Sequence, residues 1–351
     1  LCIQAIQAAL DKTCPDAVRV LILPENHTRN LPYLESISTL QELLTQSGYD
    51  TRIGTLNPEI LEPAEYITQS GKAIELIPVH REDDRLLAGD FDPCVILLNN
   101  DLSDSVPDVL LGLSQVITPP PELGWSKRLK SDHFEYYRTA AIEFSKLIDI
   151  DPWFFDPMFS NCSEINFMER QGGECLADKT ESLLADIQRK YNEFGIDSTP
   201  YVVIKADAGT YGMGVMIARS PDDVIALNRK QRTRMSSSKG GKVVNKVILQ
   251  EGVPTYETWG DSGAVAEPVV YMMDRFVVGG FYRVHTKKGA EENLNSPGMH
   301  FQPLAFDEPC NVPDAHIDPD AAANRFDTNG VIGRLALLAA AREILAISGD
   351  A

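Results

Sequence analysis

The 351-residue sequence predicts a mixed α/β and α+β chain: an N-terminal open α/β domain over residues 1–120, then a two-domain region over 121–351. Three observations predict this. Apolar runs of strand length alternate with a helical pattern through the first hundred residues. Thr118-Pro119-Pro120-Pro121 is a linker, because consecutive prolines exclude helix and sheet interior. Beyond it, Tyr201 to Val215 (YVVIKADAGTYGMGV) is an apolar strand delivering Lys205 into a loop with Gly209, Gly212 and Gly214.

In chain order, Val18 to Leu23 is a buried strand, Leu31 to Ser47 a helix ending at Gly48, and Thr51 to Leu56 a second strand. Ile74 to Val79 and Cys94 to Leu98 add two more apolar runs, which makes the sheet parallel. The loop from Pro24 to Asn30 sits outside the carboxyl end of the first strand, where open α/β sheets bind ligands. Asn30 there suits a helix cap, and Arg29 is a candidate for holding a substrate carboxylate. After the linker, Ser126 to Ile148 is helical, with Lys127, Arg128, Lys130, His133 and Arg138 on its polar positions. Asp178 to Phe194 is a second amphipathic helix, closed by Gly195. Val331 to Ile347 is apolar but carries Arg334, Arg342 and Glu343 and is short for a membrane span, so it reads as a buried helix.

A glycine loop lets backbone N–H groups approach an anion, and a lysine at the strand end adds a fixed positive charge. The lysine precedes the glycines, unlike G-x-x-x-x-G-K-[ST], and Val215 to Ala218 returns as a strand where the dinucleotide fingerprint would open a helix. Strand, glycine loop and strand resemble the phosphate-covering hairpin of ATP-grasp ligases, which makes residues 201–250 a nucleotide-binding subdomain. In the same comparison the strand Val243 to Leu249 leads into Gln250 and Glu251, candidates for the adenine edge and ribose.

Val265 to His285 reads as a β-hairpin turning at Asp274-Arg275. It resembles the ATP-grasp hairpin whose first strand carries a metal-binding acid and whose second ends with an arginine, here Glu267 and Arg283. A strict two-residue turn sets Glu267 opposite Tyr282 and leaves Arg283 on the other face; a bulge at Gly279-Gly280 restores a common face. Glu291 to Gly298 then gathers acids and amides whose oxygens suit Mg²⁺. One alignment makes Glu291 and Asn293 a metal pair, the other makes Asn293-Leu294 part of a substrate-side loop; Asn295 is assigned, with Arg29, to substrate. Glu164-Ile165-Asn166 has the same acid-x-asparagine form, but its position before the lysine strand argues against a metal role.

Composition narrows the function classes. A formal net charge of −19 argues against a nucleic-acid partner, since phosphate binding relies on clustered Lys and Arg. The exception is the stretch from Arg229 through Lys239 and Lys242, either a solvated helix end and loop or a flap over phosphates. Six scattered cysteines form no C-x-x-C pair, and six histidines form no H-E-x-x-H motif, which argues against a zinc hydrolase. Free thiols, with no secretory signal in view, lead to the expectation of a reducing, cytoplasmic setting.

Asp151-Pro152-Trp153-Phe154, Cys162-Ser163-Glu164-Ile165-Asn166, KADAGTYGMGV, ILQEGVPT and FYRVHTKKGAEENLNSPG together resemble one family over most of the chain. It is the ATP-grasp-type glutamate-cysteine ligase, or γ-glutamylcysteine synthetase, of proteobacteria. The resemblance implies ATP and Mg²⁺ as cofactors and glutamate and cysteine as substrates, joined through an acyl phosphate in the first step of glutathione biosynthesis. Lys205 and Arg283 are then the catalytic cations. A glutathione synthetase or another carboxylate-amine ligase is the alternative within the fold, and a non-catalytic nucleotide-binding protein the alternative outside it. Neither nucleic acid nor membrane is an expected partner, and the oligomeric state is not legible.

Overall fold

The computed structural model describes residues 1–26, 30–126, 128–209, 214–236, 243–303 and 325–348. The chain divides into two compact units, Leu1–Lys127 and Arg128–Ala351.

In the first unit the order is α1 (Cys2–Thr13), β1 (Arg19–Pro24), α2 (Leu31–Gln46), β2 (Asp50–Thr55), β3 (Ala64–Ile67), β4 (Ala73–Glu82), β5 (Arg85–Ala88), β6 (Val95–Asn99) and β7 (Val116–Thr118). The sheet order is β3-β4-β2-β1-β6-β7, with β5 also paired to β4. The β4-β2-β1-β6-β7 core is parallel, as the alternating pattern predicts. Central β1 is covered on both faces: Val20, Leu21, Ile22 and Leu23 are fully buried, which is why the strand reads as an unbroken apolar run. Asn30 caps α2, its side chain accepting from Tyr33 N at 3.2 Å. The antiparallel additions β3 and β5 are four-residue elements too short to stand out from the sequence.

The second unit is α+β and contains α3 (Lys130–Ile148), β8 (Phe159–Ser163), α4 (Gly173–Phe194), β9 (Val202–Ala206), β10 (Val215–Ala218), α5 (Asp222–Ile225), α6 (Arg229–Met235), β11 (Lys246–Glu251), β12 (Thr258–Trp259), β13 (Ala264–Met273), β14 (Phe276–His285), β15 (His300–Pro303) and α7 (Arg325–Ser348). Its strands make two four-stranded antiparallel sheets, β10-β9-β11-β8 and β12-β13-β14-β15. One face of the first sheet packs on α4 through Val202, Ile204, Val247 and Leu249 against Leu176, Leu183 and Ile187. Strand alternation therefore sends Val203 and Lys205 to the opposite face.

Helix α7 packs on α3 through Leu335 and Ala339 against Tyr137, Ala140 and Ala141. It is not the fully buried helix its composition suggests, because Leu338, Leu345 and Ile347 are exposed among the described residues. The polar side chains of α7 do not all mark its solvent face: Glu343 is buried at 5 % exposure. No helix of the described residues is long and apolar enough to cross a membrane.

Candidate active site

Strands β9 and β10 pair antiparallel, with Lys205 opposite Val215, and residues 210–213 between them lie outside the described residues. Gly209 (φ +83°) and Gly214 (φ +67°) both hold the left-handed conformation that a side chain would strain, while Gly212 lies outside the described residues. Lys205 makes no ion pair or hydrogen bond to any described residue, and burial pushes its ammonium below the ordinary lysine range. A half-buried cation with no partner among the described residues is costly, and a bound anion would offset that cost.

A second lysine stands beside it. Lys130, the first residue of α3, donates from Nζ to the carbonyl oxygens of Gly209 (2.7 Å), Ala206 (3.0 Å) and Asp207 (3.3 Å). Burial first, and then the charge of Lys205, push it down to about 8, against the opposing pull of Asp207. What fixes Lys130 there is Asp207, only 2 % exposed. Its carboxylate accepts from Ser131 N at 2.8 Å and Ser131 Oγ at 2.7 Å, and its carbonyl accepts from Lys130 N at 2.9 Å. The residue before α3, Leu129, has no capping side chain, so Asp207 caps that helix from 76 residues away. From α7, Glu343 grips Arg128 at 2.6 and 2.7 Å and also contacts His133. Burial pushes the Glu343 carboxyl up, but its bonds to His133 and Arg128 outweigh that and leave it below the usual range.

Strand β11 separates its two candidates. Gln250 lies opposite Val203 and so shares the face of Lys205, whereas Glu251 is opposite Val202 on the helix-packed face. The Glu251 carboxylate accepts from Trp153 Nε1 (3.0 Å) and Met158 N (3.0 Å), and burial raises its pKa. Gly252 follows because the Tyr201 ring lies against it: a Cβ there would stand 2.0 Å from Tyr201 Cε2.

In the second sheet Glu267 is directly opposite Arg283, and Arg283 Nη1 donates to Glu267 Oε2 at 2.9 Å. The bulge that permits this is at Val278: Tyr271 faces Gly279 and Met272 faces Val277. It lies one residue before the Gly279-Gly280 pair. Arg283 Nε is buried and has no partner among the described residues, so the guanidinium retains an unused donor.

Two of the remaining candidates already have partners. Glu291 pairs with Arg219, which follows β10, and Asn293 Oδ1 accepts from Asn295 N at 2.9 Å in an Asx turn. Asn295 is exposed, and Arg29 lies outside the described residues. Asn166 Oδ1 likewise caps a turn, accepting from Met168 N and Glu169 N. Among the described residues no three His, Cys, Asp or Glu side chains converge to hold a metal ion. Glu267, Glu291 and Asn293 therefore do not fit a preassembled magnesium cage, since two already bear arginine partners and the third caps a turn.

The arrangement suits transfer chemistry on a polyanion: two clustered lysines beside a glycine loop on one sheet, and an arginine with a buried free donor on the next. The family comparison makes the chain a ligase. A model of the glutamate-cysteine ligase (GshA) family matches residues 1–344, and the chain belongs to that family. A solved structure from Methylobacillus flagellatus KT, assigned as a gamma-glutamylcysteine synthetase, is 55% identical with a TM-score of 0.89, covering 99% of this chain and 81% of that one. D-alanyl-alanine synthetase A from Vibrio cholerae (10% identity, TM-score 0.40, 91% and 81% of the two chains) and the D-cycloserine synthetase DcsG (11%, 0.44, 93% and 81%) are far more distant, and nothing about this chain follows from them. No curated protein matches.

Proposed function

We propose that this ligase follows the ATP-grasp scheme, joining the γ-carboxylate of glutamate to the amine of cysteine with ATP as the phosphoryl donor. The observation that carries the reading is the half-buried charge of Lys205, without a partner among the described residues, beside Lys130, Gly209 and Gly214. The two lysines and the loop N–H groups hold the nucleotide phosphates. Gln250, on their face, meets the base or ribose, while Glu251 fixes Trp153 and the strand end. A glutamate carboxylate oxygen attacks the γ-phosphorus, the bond to ADP breaks, and an acyl phosphate forms. The cysteine nitrogen then attacks the acyl carbon, expelling phosphate and losing a proton. Arg283 balances negative charge on the transferred group through donors that Glu267 leaves free. Magnesium would arrive with ATP, held by the nucleotide phosphates with any carboxylate oxygen the site frees on binding, and would supply neutralisation of phosphate charge.

The test is ADP release with ATP, magnesium and defined amino acids. Glutamate plus cysteine should give ADP and γ-glutamylcysteine together, while γ-glutamylcysteine plus glycine should give little, because polar groups left unpaired by the wrong substrate cost about 1–3 kcal/mol each. Faster turnover of the dipeptide with glycine would convert the reading to a glutathione synthetase. ATP binding without turnover of either pair would leave only a nucleotide-binding protein.

A further inference from the structure

Two of the cysteines, thirteen residues apart in sequence, meet on the helix-packed side of the nucleotide-binding sheet. Cys162 is on β8, opposite Val247 of β11, and is 2 % exposed. Cys175 is in the first turn of α4 and is exposed. Their sulfurs are 2.8 Å apart. Packing of the surrounding core imposes the contact, since Cys162 belongs to the same buried cluster as Leu176 and Ala177, the residues that follow Cys175. None of the ligase steps uses either thiol.

We propose that Cys162 and Cys175 form a reversible oxidation site that reacts with low-molecular-weight disulfides. The difference in exposure sets the order of events. Cys175, which solvent reaches, attacks one sulfur of R–S–S–R as its thiolate; the S–S bond breaks, and the leaving RS⁻ takes up a proton. Cys162 is shielded from bulk reagent but touches the mixed disulfide. It loses its proton to solvent, attacks the Cys175 sulfur and expels the second thiol. Two protein thiols and one disulfide thereby become one protein disulfide and two RSH. Burial, followed by the bond to Cys175, pushes the Cys162 thiol up to about 12, which slows this second step at neutral pH. The contact compensates by making the attack intramolecular. The product ties strand β8 to the start of α4, and a reducing thiol reopens it.

The test uses the fully reduced chain and 2-hydroxyethyl disulfide, read by intact mass and by non-reducing peptide mapping. The wild type should lose two hydrogens and yield a linked peptide pair carrying Cys162 and Cys175, reversed by dithiothreitol. Cys162→Ser, or Cys162→Ala should the serine variant not fold, should stop at a stable 2-mercaptoethanol adduct on Cys175. Cys175→Ser should give neither product at these positions. A wild type that accumulates the Cys175 adduct without the linked pair, or one that stays reduced at both cysteines, would overturn the proposal.

Discussion

Asp207 holds Ser131 by two bonds, 2.8 Å to the backbone nitrogen and 2.7 Å to the hydroxyl, across 76 residues of sequence. The strand that carries Lys205 thus ends in the cap of the helix that carries Lys130. The sheet ladder places Lys205, and one buried carboxylate caps the helix that starts at Lys130.

Asp207→Ala should therefore act on stability and on the nucleotide at once. Loss of a helix cap costs about 0.5–2 kcal/mol, and the freed first turn lets Lys130 leave its carbonyl ligands. Urea unfolding should show the stability loss, and the KM for ATP should rise. Asp207→Asn, which still offers one acceptor, should fall between the variant and the wild type. A destabilised Asp207→Ala with an unchanged KM would show that Lys130 is not positioned by this cap.

Lys205→Ala should weaken ATP binding by about 1.5–3 kcal/mol, the worth of a charge-assisted bond, with little loss of stability because Lys205 has no described partner to abandon. For Lys130 the consequence is a pH dependence. Its folded pKa of about 8 lies below the 10.5 of a free lysine, so between those values the unfolded chain binds more protons than the folded one. Stability should therefore gain a contribution as pH rises across that window, and the contribution should be absent at and below its lower edge. Lys130→Met should remove this slope in urea titrations repeated across the window. ATP affinity should fall as pH rises through the same region, as the free enzyme loses the charge that phosphates need.

Much of this architecture is legible in the sequence, for identifiable reasons. Strands buried on both faces, such as Val20 to Leu23, leave unbroken apolar runs. Side-chain alternation shows that Glu267 and Arg283 share a face only if the hairpin carries a bulge, and the structure supplies one at Val278. The same alternation separates Gln250 from Glu251, although their adjacency suggests a joint role. The Lys130–Asp207–Ser131 clamp has no local signature: Lys130 looks like one more polar position on an amphipathic helix, and its partner lies in another element. Glu343 is hidden for the same reason, a lone acid in an apolar helix whose ligands, Arg128 and His133, are over two hundred residues away.

Arg283→Lys should lower kcat more than it raises the KM for ATP, because lysine keeps the charge but loses the planar fork and the buried Nε donor. Glu267→Gln should also lower kcat, by loosening the guanidinium its carboxylate orients, while the magnesium concentration for half-maximal activity stays where it is. A large shift in that concentration would instead make Glu267 a metal ligand once substrates bind.

The packing of Tyr201 on Gly252 gives the most direct test of how the strand end is built. A methyl group at Gly252 would overlap the Tyr201 ring at 2.0–2.4 Å, and that ring is part of the core with little room to retreat. Overpacking of this kind costs about 1–3 kcal/mol or more. Gly252→Ala should accordingly lower the urea midpoint and, by shifting the neighbouring Glu251 away from Trp153 and Met158, raise the KM for ATP. Tyr201→Leu alone should destabilise by leaving a cavity, yet the double variant should recover part of both losses, because the smaller side chain makes way for the methyl. Strictly additive losses in the double variant would mean that the Tyr201 ring is not what excludes a side chain at Gly252.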